Sequence, residues 1–111
     1  MRAVKYQRTG GPEVLSLVEV PNPEPGAGEV VVRVRAAGLN PFDAKLRSGF
    51  IPSDAPFPRR IGSDVAGFVV STGADAQYWD GTPVSVGDDV LGRAAGSVAE
   101  LAVAKASDLA R

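Results

Sequence analysis

The chain has 111 residues, a formal net charge of −1, 44% apolar residues and 23% charged ones. Its length suits one domain able to bury roughly two-thirds of its unfolded surface. The near-neutral charge excludes the basic footprint that a nucleic acid or an anionic membrane partner requires. With no cysteine and no histidine, disulfides, thiolate nucleophiles and imidazole bases are all unavailable.

No apolar run approaches the roughly 20 residues of a membrane span. The opening MRAVKYQRTG turns polar too early for a secretory leader, and the cytoplasm is the default compartment. The 13 glycines and 9 prolines punctuate the chain densely, which favours short strands and tight turns over a helical domain.

In chain order, Met1–Tyr6 predicts a first strand, reversed at Thr9-Gly10-Gly11-Pro12. Leu15–Val20 predicts a second, stopped by the proline-rich stretch Pro21-Asn22-Pro23-Glu24-Pro25-Gly26, an extended loop that cannot donate ladder hydrogen bonds. Glu29–Ala37 is the clearest strand. Its alternation predicts Val30, Val32, Val34 and Ala36 inside, with Val31, Arg33 and Arg35 on the wet face. Pro41–Ser48 predicts one or two helical turns, opened by Asn40-Pro41 and ended near Ser48. A Pro-rich loop follows from Phe50 to Arg60.

Val65–Ser71 is apolar without alternation, as in a strand covered on both faces. Thr72–Val84 reads as a loop or an inserted hairpin carrying Tyr78 and Trp79. These two aromatics can shield an edge, line a partner surface or close a cleft. Ser85–Gly92 is a turn feeding a strand, Val98–Ala104 another strand, and Ser107-Asp108-Leu109 a closing turn. Six or seven short strands with one short helix predict an antiparallel barrel or sandwich.

Five stretches carry a resemblance. MRAVKYQRTGGPEVLSLVEVP, AAGLNPFDAKLRSG, IGSDVAG, VGDDVLG and GSVAELAVA follow one another as in zeta-crystallin-like quinone oxidoreductases of the medium-chain dehydrogenase/reductase superfamily. The resemblance implies a mainly β fold, the GroES-like partly open β-barrel with one or two short helices, over residues 1–111. Members of the family continue into a Rossmann domain with a Gly-rich dinucleotide fingerprint. No G-x-G-x-x-G occurs here, so that domain is expected to be absent from this chain, and the chain to be inactive alone. The implied activity is NADPH-dependent reduction of a small-molecule acceptor, a quinone or an α,β-unsaturated carbonyl, by a homodimeric parent enzyme. An alternative from another class is a non-catalytic GroES-like assembly or partner-binding module, since the barrel architecture alone does not fix function.

In the zinc-dependent relatives a Cys stands at the position of Asn40 and a Gly-His-Glu segment at Gly62-Ser63-Asp64. Zinc is held by thiolate and imidazole donors, so the resemblance implies chemistry without zinc. By the same resemblance Asn40 lines the cleft and contacts cofactor ribose or substrate carbonyl. It can equally be a helix N-cap. Asp43 either orders this loop and meets a polar group of the ligand, or is a solvated first-turn acid. Lys45 stands where many quinone oxidoreductases have a Tyr; it either stabilises an enolate or quinol oxygen, or points into water. Phe50 and Ile51 are expected to form an apolar wall for the acceptor, and Ser63 to permit close packing in the substrate site. Asp64 is expected to hydrogen-bond at a strand entry. Arg59-Arg60 reads as an exposed loop pair and Asp88-Asp89 as solvated turn residues.

Overall fold

The computed structural model describes residues 1–111. Its strands are β1 (Arg2–Tyr6), β2 (Leu15–Glu19), β3 (Glu29–Gly38), β4 (Arg59–Arg60), β5 (Asp64–Thr72), β6 (Asp89–Arg93), β7 (Leu101–Lys105) and β8 (Leu109–Ala110), with one α-helix, α1 (Pro41–Ser48). Short 3-10 turns occupy Pro12–Val14 and Ala106–Asp108. All pairings are antiparallel: a three-stranded sheet in the order β2-β1-β4 and a five-stranded sheet in the order β7-β3-β5-β6-β8. The two are stitched where Val4 N–H donates to Val98 O (3.1 Å) and Glu100 N–H to Arg2 O (3.0 Å). The result is the mainly β, partly closed barrel that the sequence implies. No helix is long and apolar enough to cross a membrane.

The five-stranded sheet wraps the main core, in which Val30, Val32, Val65, Val69, Val90 and Leu109 meet. Tyr6, Val14 and Ile61 form a smaller cluster beneath the three-stranded sheet. Two assignments of facing are corrected. In β3 the register to β5 shifts between Val31 and Val32 and between Val34 and Ala36. An inserted residue breaks a period of two; Val31 is buried beside its neighbours and Ala36 is exposed. In β5, Val65, Gly67 and Val69 are buried while Ala66, Phe68 and Val70 are only partly covered, so the strand alternates after all. The Arg35 guanidinium lies 5.0 Å from the Phe68 ring centroid and shields that outer face.

Residues 77–83 form a small hairpin tip, with Gln77 bridged to Pro83 and Tyr78 N–H donating to Thr82 O (2.9 Å). Its aromatics part company: Tyr78 is 5% exposed and Trp79 79% exposed. Tyr78 Oη donates to Asp88 Oδ2 (2.7 Å), which also accepts the Ser85 N–H (3.1 Å). Asp88 is therefore a half-buried anchor rather than a solvated turn residue, while Asp89 is exposed.

Burial first, then the bond to Asp88, pushes the Tyr78 phenol from its ordinary 10.0 up to about 12. The same bond, with the Ser85 amide, holds the Asp88 carboxyl below its ordinary range. The folded state thus keeps a phenol proton that the unfolded chain releases. This contribution to stability is complete below about pH 10 and is lost as pH rises toward 12. Tyr78→Phe is expected to abolish the phenolate absorbance step near pH 12 and to move alkaline unfolding, followed by circular dichroism, away from that window. A variant that keeps the step would show that Tyr78 is not the group responsible.

Candidate active site

The site begins where β3 runs out. Gly38 pairs with Asp64 at the start of β5, and a Cβ on Gly38 would lie 3.0 Å from the Asp64 Cβ. Asn40 follows in extended conformation (φ −114, ψ 161), as the next residue, a proline, requires. Pro41 then occupies the first helical position, where no N–H is needed. At the third helical position Asp43 turns back, and its Oδ2 accepts the Asn40 N–H (2.8 Å). Gly49, left-handed at φ 85, stops the helix. Arg47 ties that end to Gly10 through a backbone bond of 2.9 Å and a side-chain bond of 3.2 Å.

The carboxylate of Asp43 is buried, with 7% exposure, and both its oxygens are used. Its Oδ1 accepts the Ser63 hydroxyl at 2.8 Å. The Asn40 side chain points the other way, Nδ2 donating to Asp64 Oδ2 at 3.0 Å. Four polar side chains from the helix start and the β5 entry therefore form one hydrogen-bonded group. These acids and amides bond to one another rather than converging on a point, and no cluster of three or more His, Cys, Asp or Glu is gathered as metal ligands.

A cavity of about 500 Å³ adjoins this group, and Asp43 and Ser63 reach it together with Phe42, Leu46, Arg60 and Arg93. Phe42 and Leu46 share one helical face, four residues apart. Lys45 and Phe50 line a separate groove of about 350 Å³, where the Lys45 ammonium lies 5.9 Å from the Phe50 ring centroid. Ile51 lines neither; it is half-buried, and its N–H donates to Lys45 O (3.2 Å). Asn40 is exposed and linked to the cavity only through Asp43, and its partner Asp64 borders a third depression of about 460 Å³. The structure thus joins Asn40, Asp43 and Ser63 and sets Lys45, Phe50 and Ile51 apart.

Sequence reasoning missed the arginines. Arg59 and Arg60 are not a loose pair but β4, hydrogen-bonded to β1. Arg59 lies over the Phe57 ring at 4.1 Å and caps Ser53 and Ala55 carbonyls. Arg60 Nη2 donates to Gly96 O (2.8 Å) and Leu101 O (3.3 Å), and burial lowers its pKa from the ordinary guanidinium value. Arg93 ends β6 directly opposite Asp64. The available signal was position: one arginine precedes the Ile61-Gly62-Ser63-Asp64 turn by a single residue, and the other closes the strand paired with it.

The sequence profile of the alcohol dehydrogenase GroES-like domain matches residues 26–111. The chain belongs to that family. Its relatives include a chloroplastic quinone-oxidoreductase QR1 of Triphysaria versicolor, 45% identical over 80 residues that make up 69% of this chain and 24% of the relative. A chloroplastic quinone-oxidoreductase homolog of Spinacia oleracea is 37% identical over 95% of this chain and 32% of its own length. Among solved structures, mycobacterial Rv1454c complexed with NADPH superposes with a TM-score of 0.86 at 39% identity, covering 100% of this chain and 32% of that one. The GroES-like chain therefore spans about a quarter to a third of the length of these proteins. Within the matched residues lie β3 to β8, α1 and the whole Asn40–Asp43–Ser63–Asp64 group.

Proposed function

We propose that this chain is the acceptor-binding domain of a zinc-independent, NADPH-dependent oxidoreductase that reduces quinones or α,β-unsaturated carbonyls. The observation that carries the reading is the Asn40–Asp43–Ser63–Asp64 network beside an open cavity, built without a thiolate or an imidazole. A bound NADPH supplies the hydride. The residues here fit the reacting end of such a cofactor: an exposed carboxamide hydrogen-bonded to Asp64 and an open cavity, with no Gly-rich turn for a pyrophosphate. A separate Rossmann domain and a homodimeric parent enzyme belong to the same proposal.

Asn40, held by Asp64 through Nδ2, orients the acceptor carbonyl or the nicotinamide ribose. Asp43 is a positioning residue: it fixes the Asn40 backbone and the Ser63 hydroxyl at once. Ser63 and the Phe42 ring bound the acceptor inside the cavity. Lys45 and Phe50 line their separate groove, with Ile51 outside both groove and cavity, so none of the three takes a part at the reacting carbonyl in this proposal. Quinones and enones alkylate thiols, and this chain offers them none. Zinc independence rests on the donor set, because carboxamide, hydroxyl and carboxylate replace zinc's preferred sulfur and nitrogen.

The protein that carries this domain, treated with a chelator and shown metal-free, is expected to oxidise NADPH when supplied with quinones or enones. Nicotinamide absorbance is the measure. No oxidation with either acceptor class overturns the reading.

A further inference from the structure

Three cations, Arg60, Arg93 and Lys105, line the cavity of Asp43 and Ser63, and none of them forms an ion pair. The ion pairs of the molecule are Met1–Glu19 and Arg2–Glu100, and neither lies there. Arg60 is clamped along one edge by the Gly96 and Leu101 carbonyls, while its Nε is buried and bonded to nothing. Its Nη1 likewise has no hydrogen bond within the chain. Neutral carbonyls satisfy donors without neutralising the charge, so a half-buried cation remains uncompensated. Arg93 lines the same cavity, exposed and without an ion pair.

Three acids line the cavity as well, Glu29, Asp43 and Asp108, and the first two are held by neutral donors. Asp43 accepts two hydrogen bonds, Asp64 turns its Oδ2 to Asn40, and Glu29 Oε1 accepts the Gly26 N–H (2.8 Å). Asp108, in the 3-10 turn after β7, and Lys105, the last residue of β7, line the cavity too.

We propose that Arg60 and Arg93 form an anion-selective subsite of this cavity, so that the preferred acceptor carries a carboxylate or sulfonate beside its reducible carbonyl. This rests on the acceptor-binding role proposed above and names the substrate class. A guanidinium already immobilised on two carbonyls through Nη2 loses little entropy on meeting an anion, and its Nη1 together with the Arg93 guanidinium remains to donate to the paired oxygens of such a group. The arginines select the acceptor and bind its charged end, leaving the reducible carbonyl near Asn40 and Ser63.

Titration of the chain with naphthoquinone sulfonate and with unsubstituted naphthoquinone, followed by NMR of the backbone and arginine Nε–H signals, tests the subsite. The sulfonate is expected to bind about tenfold tighter at low salt, with shifts at Arg60, Arg93 and Ser63, and the preference is expected to shrink as salt is added. Arg93→Leu, at an exposed position, is expected to bring the two affinities within about twofold. Arg60→Lys keeps the charge but cannot hold both carbonyls and donate to the anion as well, and is expected to weaken the sulfonate preference; circular dichroism checks that it folds. Equal affinities in the unaltered chain, both perturbing Ser63, overturn the subsite while leaving the acceptor site in place. Binding of neither quinone at these residues overturns the acceptor site itself. Stronger shifts of the two arginines with NADP than with the sulfonate assign the anion to the cofactor and overturn this proposal.

Discussion

Gly62→Ala is expected to lower the stability of the chain by about 3 kcal/mol, a sum of left-handed backbone strain and overpacking. Gly62 sits at φ +106, and a Cβ there would stand 2.4 Å from Ser97 Oγ and 2.9 Å from the Val98 nitrogen. Neither neighbour can yield cheaply. Ser97 is fully buried, and Val98 N–H is bonded to Ile61 O at 3.1 Å. Gly62 O also accepts Gly96 N–H (3.0 Å), so the glycine is gripped on both sides. Urea denaturation is expected to show a lower midpoint with an unchanged slope, and melting to fall by roughly 15 °C. Gly81→Ala is the control: its φ of +86 carries the backbone strain, but nothing lies within 4 Å of the added carbon. That variant is expected to lose only about 1–2 kcal/mol. Equal losses at the two glycines would mean that the packing of residues 61–63 against 96–98 contributes nothing.

The same junction explains what sequence alone could and could not disclose. Helix α1 was legible because its signals are local: Asn40-Pro41 at one end and Ser48 at the other. Strand existence was legible for the same reason, since runs such as Val30–Val34 and Val65–Val70 lie between turn residues. Facing was harder. The two register shifts in β3 are set by its pairing with β5, which no period within β3 records. The site was half legible. Asn40 stood out as a cap and Asp43 as a first-turn acid, but their partners Asp64 and Ser63 are 24 and 20 residues away. Arg60 and Arg93 carried no local signal, because an arginine before an apolar turn looks solvated until the sheet brings Gly96 and Leu101 to it.

Asp43→Ala is expected to cost about 3 kcal/mol, because two donors lose a charged acceptor worth roughly 1.5–3 kcal/mol each when well buried. The Asn40 N–H and Ser63 hydroxyl are only partly buried, which places the sum at the low end. Asp43→Asn is expected to restore part of the loss: the amide oxygen can accept the Asn40 N–H while the NH₂ donates to the Ser63 hydroxyl oxygen, which accepts as readily as it donates. Ser63→Ala removes a single donor and is expected to cost under about 1 kcal/mol, since water solvates the free carboxylate oxygen from the cavity. The two changes touch one hydrogen bond and must be non-additive. A double-mutant cycle by urea denaturation is expected to give a coupling of about 1 kcal/mol between Asp43 and Ser63. Strict additivity would mean that the bond from Ser63 to Asp43 contributes nothing, and Asn40 would then lack the brace that keeps it in register with the cavity. In the reductase proposed above, loss of that brace is expected to reduce kcat/KM for the acceptor roughly a hundredfold, the scale set by an ångström of misplacement. A full-rate Asp43→Ala enzyme would show that Asn40 orients its ligand without help from the helix start.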